Sequence, residues 1–144
     1  VRLFAIIAVL ALAGCGTTPE DESCTTQRST ASVMVAESGL LLEPSEGMYV
    51  TFWDMADFYS DVQACMGLIV TGPTVRYESF FGPMGVISLG TGIIYVNTNP
   101  ALHRNCEQEK SVLKHEFVHY LLHASGVAIE NNVAHRSAFF GWCT

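Results

Sequence analysis

His115-Glu116-Phe117-Val118-His119 decides how this chain is read. It spells H-E-x-x-H inside an apolar run, Ser111 to Ala124, of helical character. On a helix, residues four apart differ by about 40° in rotation and roughly 6 Å along the axis. Both imidazoles then leave one face and reach a single metal ion. Glu116 follows His115 about 100° round the helix, where its carboxylate can address a water on that ion. Two neutral nitrogen ligands, an open coordination position and an adjacent general base are what metal-assisted hydrolysis needs. The five-residue pattern also arises by chance. The chain around it must therefore supply a third ligand and an apolar underside for the helix.

The spacing predicts that this helix begins near Asn105, a good N-cap, with Glu107 and Glu109 in a first turn where the dipole favours acids. It is expected to stop near Ser125-Gly126, glycine suiting the position after the last turn. Val112, His115, His119 and Leu122 fall on one face. Leu113, Phe117, Tyr120, Leu121 and Ala124 form an apolar stripe able to dock on a sheet.

Candidates for the third ligand are His103, His123, Glu130 and His135. His123 stands about 12 Å along the axis from His115. Ligand atoms on one zinc lie no more than about 4 Å apart, which excludes it. His103 precedes the N-cap, on the wrong side for an easy return. Glu130 and His135 both follow the turn at Gly126 and can come back over the helix. The texture His135-Arg136-Ser137-Ala138-Phe139 favours His135, because an aromatic four residues on can pack beneath the imidazole. Glu130 stays as the alternative.

The segment from Lys114 to Cys143, KHEFVHYLLHASG…HRSAFFGWC, resembles small bacterial zincin-type metallopeptidases and is similar to the SprT-like and minigluzincin groups. The resemblance implies Zn²⁺ on His115, His119 and His135, with Glu116 as the catalytic carboxylate. It covers about thirty residues. Arg136 stands where SprT-like proteins often carry glycine, so subfamily and substrate do not carry over. Zincins pair an extended peptide with a strand edge, and Ile93 to Val96 is the candidate edge. His123, Tyr120, Arg136 and Tyr95 are unranked candidates for stabilising the oxyanion.

Elsewhere the patterning is local. Tyr49 to Met66 reads as a helix, with Phe52, Met55, Tyr59 and Val62 at spacings of three and four and Gly67 as its stop. Asp54, Asp57 and Asp61 share its opposite face, most simply a solvated one. Strand signals follow at Leu68 to Val70, Thr74 to Phe81, Val86 to Leu89 and Ile93 to Val96. The last two flank Gly90-Thr91-Gly92 as a hairpin. Val33 to Val35 and Leu40 to Leu42 are short apolar runs, the latter before the turn signal Pro44-Ser45-Glu46-Gly47.

Length and composition bound the rest. The chain has 144 residues, enough for one domain, and 49% of them are hydrophobic, enough for a core. A net charge of −7 without a basic stripe excludes nucleic acid as a natural partner. Arg2, the apolar run Leu3 to Leu12 and Leu12-Ala13-Gly14-Cys15 look like a bacterial lipoprotein signal, cut before a lipid-modified Cys15. Gly16 after that cysteine suits the outer membrane of a Gram-negative cell. Four cysteines remain, Cys24, Cys65, Cys106 and Cys143, which in an exported domain suggests two disulfides. Cys106 with Cys143 and Cys24 with Cys65 is the pairing that would close the site region.

The expectation is an α+β chain in three parts: signal peptide 1–14, tether 15–32, and a small zincin-like domain 33–144. That domain has an N-terminal helix, a short mostly antiparallel sheet, the H-E-x-x-H helix and a C-terminal helical segment. Its expected work is zinc-dependent hydrolysis of a peptide or protein by a lipid-anchored monomer on the cell envelope. The alternative is a non-catalytic zinc-binding or interaction lipoprotein.

Overall fold

The computed structural model describes residues 27–127 and 134–144. The expected signal peptide, Cys15, Cys24 and Glu130 lie outside the described residues.

The chain is an α+β domain. Its strands are β1 (Arg28–Thr30), β2 (Met34–Val35), β3 (Leu41–Leu42), β4 (Ser45–Met48), β5 (Thr74–Glu78), β6 (Gly85–Ser88) and β7 (Ile93–Asn97). The helices are α1 (Phe52–Met66), α2 (Cys106–Ala124) and α3 (Phe139–Trp142). Five strands form one mixed sheet, in the order β2-β3-β5-β7-β6, and β1 pairs with β4 apart from it. Three pairings are antiparallel and two, β3 with β5 and β5 with β7, are parallel. The β6–β7 hairpin forms as its glycine loop predicts, with Ser88 opposite Ile93. Leu68 to Val70 is not a strand. The sequence 28–30, read as tether, is a strand instead, and so is 45–48, read as a turn. Both are too short to carry a periodic signal, and each exists by pairing with the other.

Both main helices carry their own start and stop signals. Thr51 caps α1 by accepting from Asp54 N at 3.0 Å. Asn105 caps α2 by accepting from Gln108 N at 3.0 Å, and Gln108 Oε1 accepts in return from Asn105 N at 3.1 Å. This reciprocal box satisfies two otherwise orphaned donors. Gly67 and Gly126 take left-handed φ values of 68° and 84° just past the helix ends.

The helices cover one face of the sheet. Leu42, Val75, Tyr77, Ile94 and Val96 are buried, and they alternate along their strands with partly exposed residues. On the outer face Arg76 pairs with Glu43 and lies over the Tyr95 ring. From α1, Met55, Tyr59 and Val62 enter the core; from α2, Leu113, Phe117, Val118 and Leu121 do. Tyr59 meets Phe117 edge-on, with centroids 5.2 Å apart. Of the predicted stripe, Leu113, Phe117 and Leu121 are buried, Tyr120 is half-buried and Ala124 is exposed; because α2 lies against α1 as well as the sheet, Val118 and Leu122 are buried too.

Glu109 is fully buried rather than at a solvated helix start. Its carboxylate accepts from the N–H groups of Tyr49 and Val50 at 3.1 and 3.2 Å and from Tyr77 Oη at 2.7 Å. Arg104 lies 3.5 Å from the same carboxylate and stacks on the Tyr49 and Tyr77 rings. Burial pushes the Glu109 carboxyl up against these partners, which favour its charged form.

The observed disulfide is Cys65–Cys143, joining the end of α1 to the end of α3. This overturns the expected pairing of Cys106 with Cys143 and Cys24 with Cys65. The reason is the rise of α2. Cys106 opens that helix, while α3 lies over His115 and beyond, roughly 13 Å further along the axis. A disulfide spans no more than about 7 Å between Cα atoms. Cys106 is itself disulfide-bonded.

Candidate metal centre

The i, i+4 spacing on α2 brings His115 Nε2 and His119 Nε2 to 3.2 Å. A 3₁₀ turn at Ala134–Arg136 returns His135 over the helix. Its Nε2 lies 3.0 Å from that of His119 and 3.3 Å from that of His115. The three imidazoles thus turn the same nitrogen towards one point, and they can hold a metal ion. His119 is buried, His115 half-buried and His135 exposed.

The donor chemistry fits such an ion. Each neutral imidazole carries one N–H, so three converging nitrogens repel one another wherever two lone pairs meet. A cation at the centre removes that conflict. Two nitrogens bonded at about 2.0–2.1 Å in tetrahedral geometry stand roughly 3.3 Å apart, close to the separations here. The two rings on α2 are also held towards their neutral form. Burial, then His115 and His135, push His119 down to about 4. Burial and His135 lower His115 as well. His119 Nδ1 is buried and has no hydrogen-bond partner among the described residues. A metal-bound histidine normally donates this second N–H.

Phe140, not Phe139, backs the cluster. Its ring centroid lies 4.8, 4.7 and 5.2 Å from those of His115, His119 and His135. The expectation of Phe139 assumed one continuous helical turn from His135. The chain instead leaves its 3₁₀ turn and bends at Ser137 before α3, which advances the inward position by one residue. Phe139 packs against the core.

Glu116 projects from α2 into the same cleft and is 6% exposed, which pushes its carboxyl up to about 7. The opposite wall is β6 and its approach, Pro83, Gly85, Val86, Ile87 and Leu89, enclosing about 380 Å³. That wall comes very close. A Cβ on Gly85 would stand 2.4 Å from Val112 Cγ1 and 3.2 Å from Glu116 Oε1. Only glycine lets the strand lie there. Asn97 fixes the loop that leads into β6. Its Nδ2 donates to Phe80 O and Pro83 O at 3.0 Å each, and its Oδ1 accepts from Phe80 N at 3.2 Å. Gly85, Asn97 and Phe140 were not singled out by sequence. The signal for Gly85 was a glycine at the mouth of a β-branched run, which marks close backbone approach as readily as a turn.

The other candidates lie elsewhere. Ile93 to Val96 is not an edge, since β7 is paired on both sides; among the described residues the edge strand on that side of the sheet is β6. Tyr95 lies on the outer face with Arg76, and Tyr120 Oη donates to Thr71 O at 2.7 Å. His103 ends a 3₁₀ turn before α2. His123 and Arg136 are exposed, Arg136 next to His135 in sequence. The chain matches no protein-family model and no curated protein.

Proposed function

We propose that this chain is a zinc-dependent peptide hydrolase of the zincin type. The observation that carries the reading is the triangle of three Nε2 atoms with a buried glutamate beside it, opening on a free strand edge. An all-imidazole donor set suits zinc, copper, iron or nickel. Zinc is favoured because it accepts a tetrahedral site with one position left for water and adds no redox chemistry.

When bound, such an ion acidifies a water and polarises a carbonyl. The protein's own part is proton handling and positioning. The Glu116 carboxylate takes a proton from the attacking water and returns it to the leaving amine; burial that pushes it up to about 7 suits both steps near neutral pH. A metal store needs no such base, which favours catalysis over sequestration.

The strand edge supports a peptide substrate. Asn97 N donates to Met84 O, and Gly85 lies opposite Val96. In an antiparallel ladder hydrogen-bonded pairs alternate, so Gly85 and Ile87 direct their backbone groups away from β7, towards the free edge. An extended peptide paired with them runs past Glu116. The expected envelope location, through lipid on Cys15, rests on the pattern from Leu3 to Cys15. Among the described residues no helix is long and apolar enough to cross a membrane.

Metal analysis of the purified chain with peptide-library cleavage tests this reading. Stoichiometric zinc, cleavage by the native chain and none by Glu116→Gln with its zinc retained are expected. Cleavage undiminished in Glu116→Gln would remove the catalytic assignment. Absence of metal affinity would remove the site.

A further inference from the structure

We infer that the Cys65–Cys143 disulfide and Phe140 act together as positioning residues for His135, so that the site's grip on its metal depends on a covalent link to α1. The inference rests on the three-histidine reading. The three ligands are held very unequally. His115 and His119 ride on α2, a 19-residue helix capped at its start and packed against both α1 and the sheet. His135 is the exposed member and rides on a three-residue 3₁₀ turn. Neither that turn nor the four-residue α3 after it is long enough to be stable alone.

Residues 137–144 must therefore be placed from outside. Their backbone hydrogen bonds are local: Phe140 N to Ser137 O, Gly141 N to Ala138 O, Cys143 N to Phe139 O. The tie to the rest of the fold is Cys143, which bonds Cys65 across 78 residues of sequence. Three residues before Cys143, Phe140 lies against all three imidazoles, at 4.7 to 5.2 Å. The mechanical order runs from α1 through the disulfide to α3, from α3 through the Phe140 ring to His135. Without the link, among the described residues α3 has the packing of Phe139 and Phe140 to hold it down, and the third imidazole loses its backing.

The test uses the full chain and Co²⁺ as the probe, read by titration and by visible absorption, which separates four-coordinate from higher-coordinate sites. The variants are Cys65→Ser/Cys143→Ser, Phe140→Ala, Phe140→Leu and, as benchmark, His135→Ala. Removing the disulfide is expected to weaken Co²⁺ binding roughly 10- to 100-fold, the range for losing a group that orients a ligand. Its spectrum should shift towards that of His135→Ala while circular dichroism still reports α1 and α2. Phe140→Ala should shift both readouts the same way with the disulfide intact, and Phe140→Leu should recover most of the loss. Native affinity and spectrum in Cys65→Ser/Cys143→Ser, alongside a weakened His135→Ala, would overturn the inference and leave the site standing. Native behaviour of His135→Ala would instead overturn the three-histidine reading. If the double serine variant does not fold, the Phe140 pair decides: unchanged binding by Phe140→Ala refutes the clamp.

Discussion

Gly85→Ala is the sharpest perturbation the structure offers, because it adds one methyl group where two elements nearly touch. The new Cβ would lie 2.4 Å from Val112 Cγ1, 3.1 Å from Glu116 Cγ and 3.2 Å from Glu116 Oε1. Ordinary carbon contacts begin near 3.5 Å. The strand must therefore retreat from α2 by about 1 Å, or Val112 must turn away. Overpacking of this kind costs roughly 1–3 kcal/mol. Retreat of β6 also widens the cleft on the side where Glu116 sits, and a misplacement of about 1 Å near reacting atoms can cost on the order of 100-fold in rate. Urea unfolding of Gly85→Ala, Val112→Ala and the double variant would measure the contact. The double variant is expected to be more stable than the sum of the single effects by about 1 kcal/mol or more, since truncating Val112 vacates the space the methyl needs. The three imidazoles stand on α2 and on the 3₁₀ turn at Ala134–Arg136, not on β6, so Co²⁺ affinity should stay close to native in all three. Gly85→Ala with native stability, or single effects that simply add, would refute the close approach of β6 to α2.

Three further outcomes follow from the site and its support. Glu116→Gln should lower peptide cleavage by about 100- to 10,000-fold, the range for removing a general base, with zinc content unchanged by elemental analysis. The same substitution should reveal a pH effect in the metal-free chain. Glu116 is raised to about 7, so between about 4.5 and 7 the folded state holds a proton that the unfolded state gives up, and native stability falls as pH rises through that window. His119, lowered to about 4, acts with opposite sign: the unfolded state binds the extra proton between about 6.5 and 4, and stability falls as pH drops. Glu116→Gln should thus gain on the native chain as pH rises from 4.5 to 7, by up to about 3 kcal/mol, and equal pH profiles in denaturation would contradict the burial of Glu116. Tyr77→Phe removes the 2.7 Å bond to buried Glu109 and should cost about 1.5–3 kcal/mol in urea denaturation; a loss under about 0.5 would mean that Glu109 does not need that donor.

The readability of the chain followed the range of its interactions. Caps, stops and helix periodicity are local, and they placed α2 with Asn105 and Gly126 at its ends and α1 with Gly67 at its stop; the start of α1 was read at Tyr49, three residues before Phe52, because Thr51 was not recognised as its cap. The two histidines of the cluster on α2 were readable for the same reason, and His135 because a histidine can return to the helix only where chain length and a turn allow it. The pairing of β1 with β4, the parallel neighbours of β5 and the partner of Cys143 are non-local, and strands of two to four residues carry no periodic signature of their own. Taking Ile93 to Val96 as the edge was wrong for this reason: its apolar alternation fits a strand, but only the sheet order shows that β7 is interior and β6 outermost. Phe140 was missed by one residue because a single bend at Ser137 breaks helical spacing.

Glu109 sits six residues before His115 on the same helix, and it ties that helix to the start of α1 and to β5 at once. If α2 slid along its axis by even one residue, the carboxylate would leave two backbone donors, a phenol and an arginine behind. The floor of the cleft is therefore a fixed datum. Under the proposed function, whatever adjustment admits a substrate or releases a product has to come from its two borders, the β6 strand with its lone-glycine clearance and the short stapled helix over His135. The geometry of the histidine cluster and the width of the cleft are in this way assigned to different parts of the molecule, and one can vary without the other.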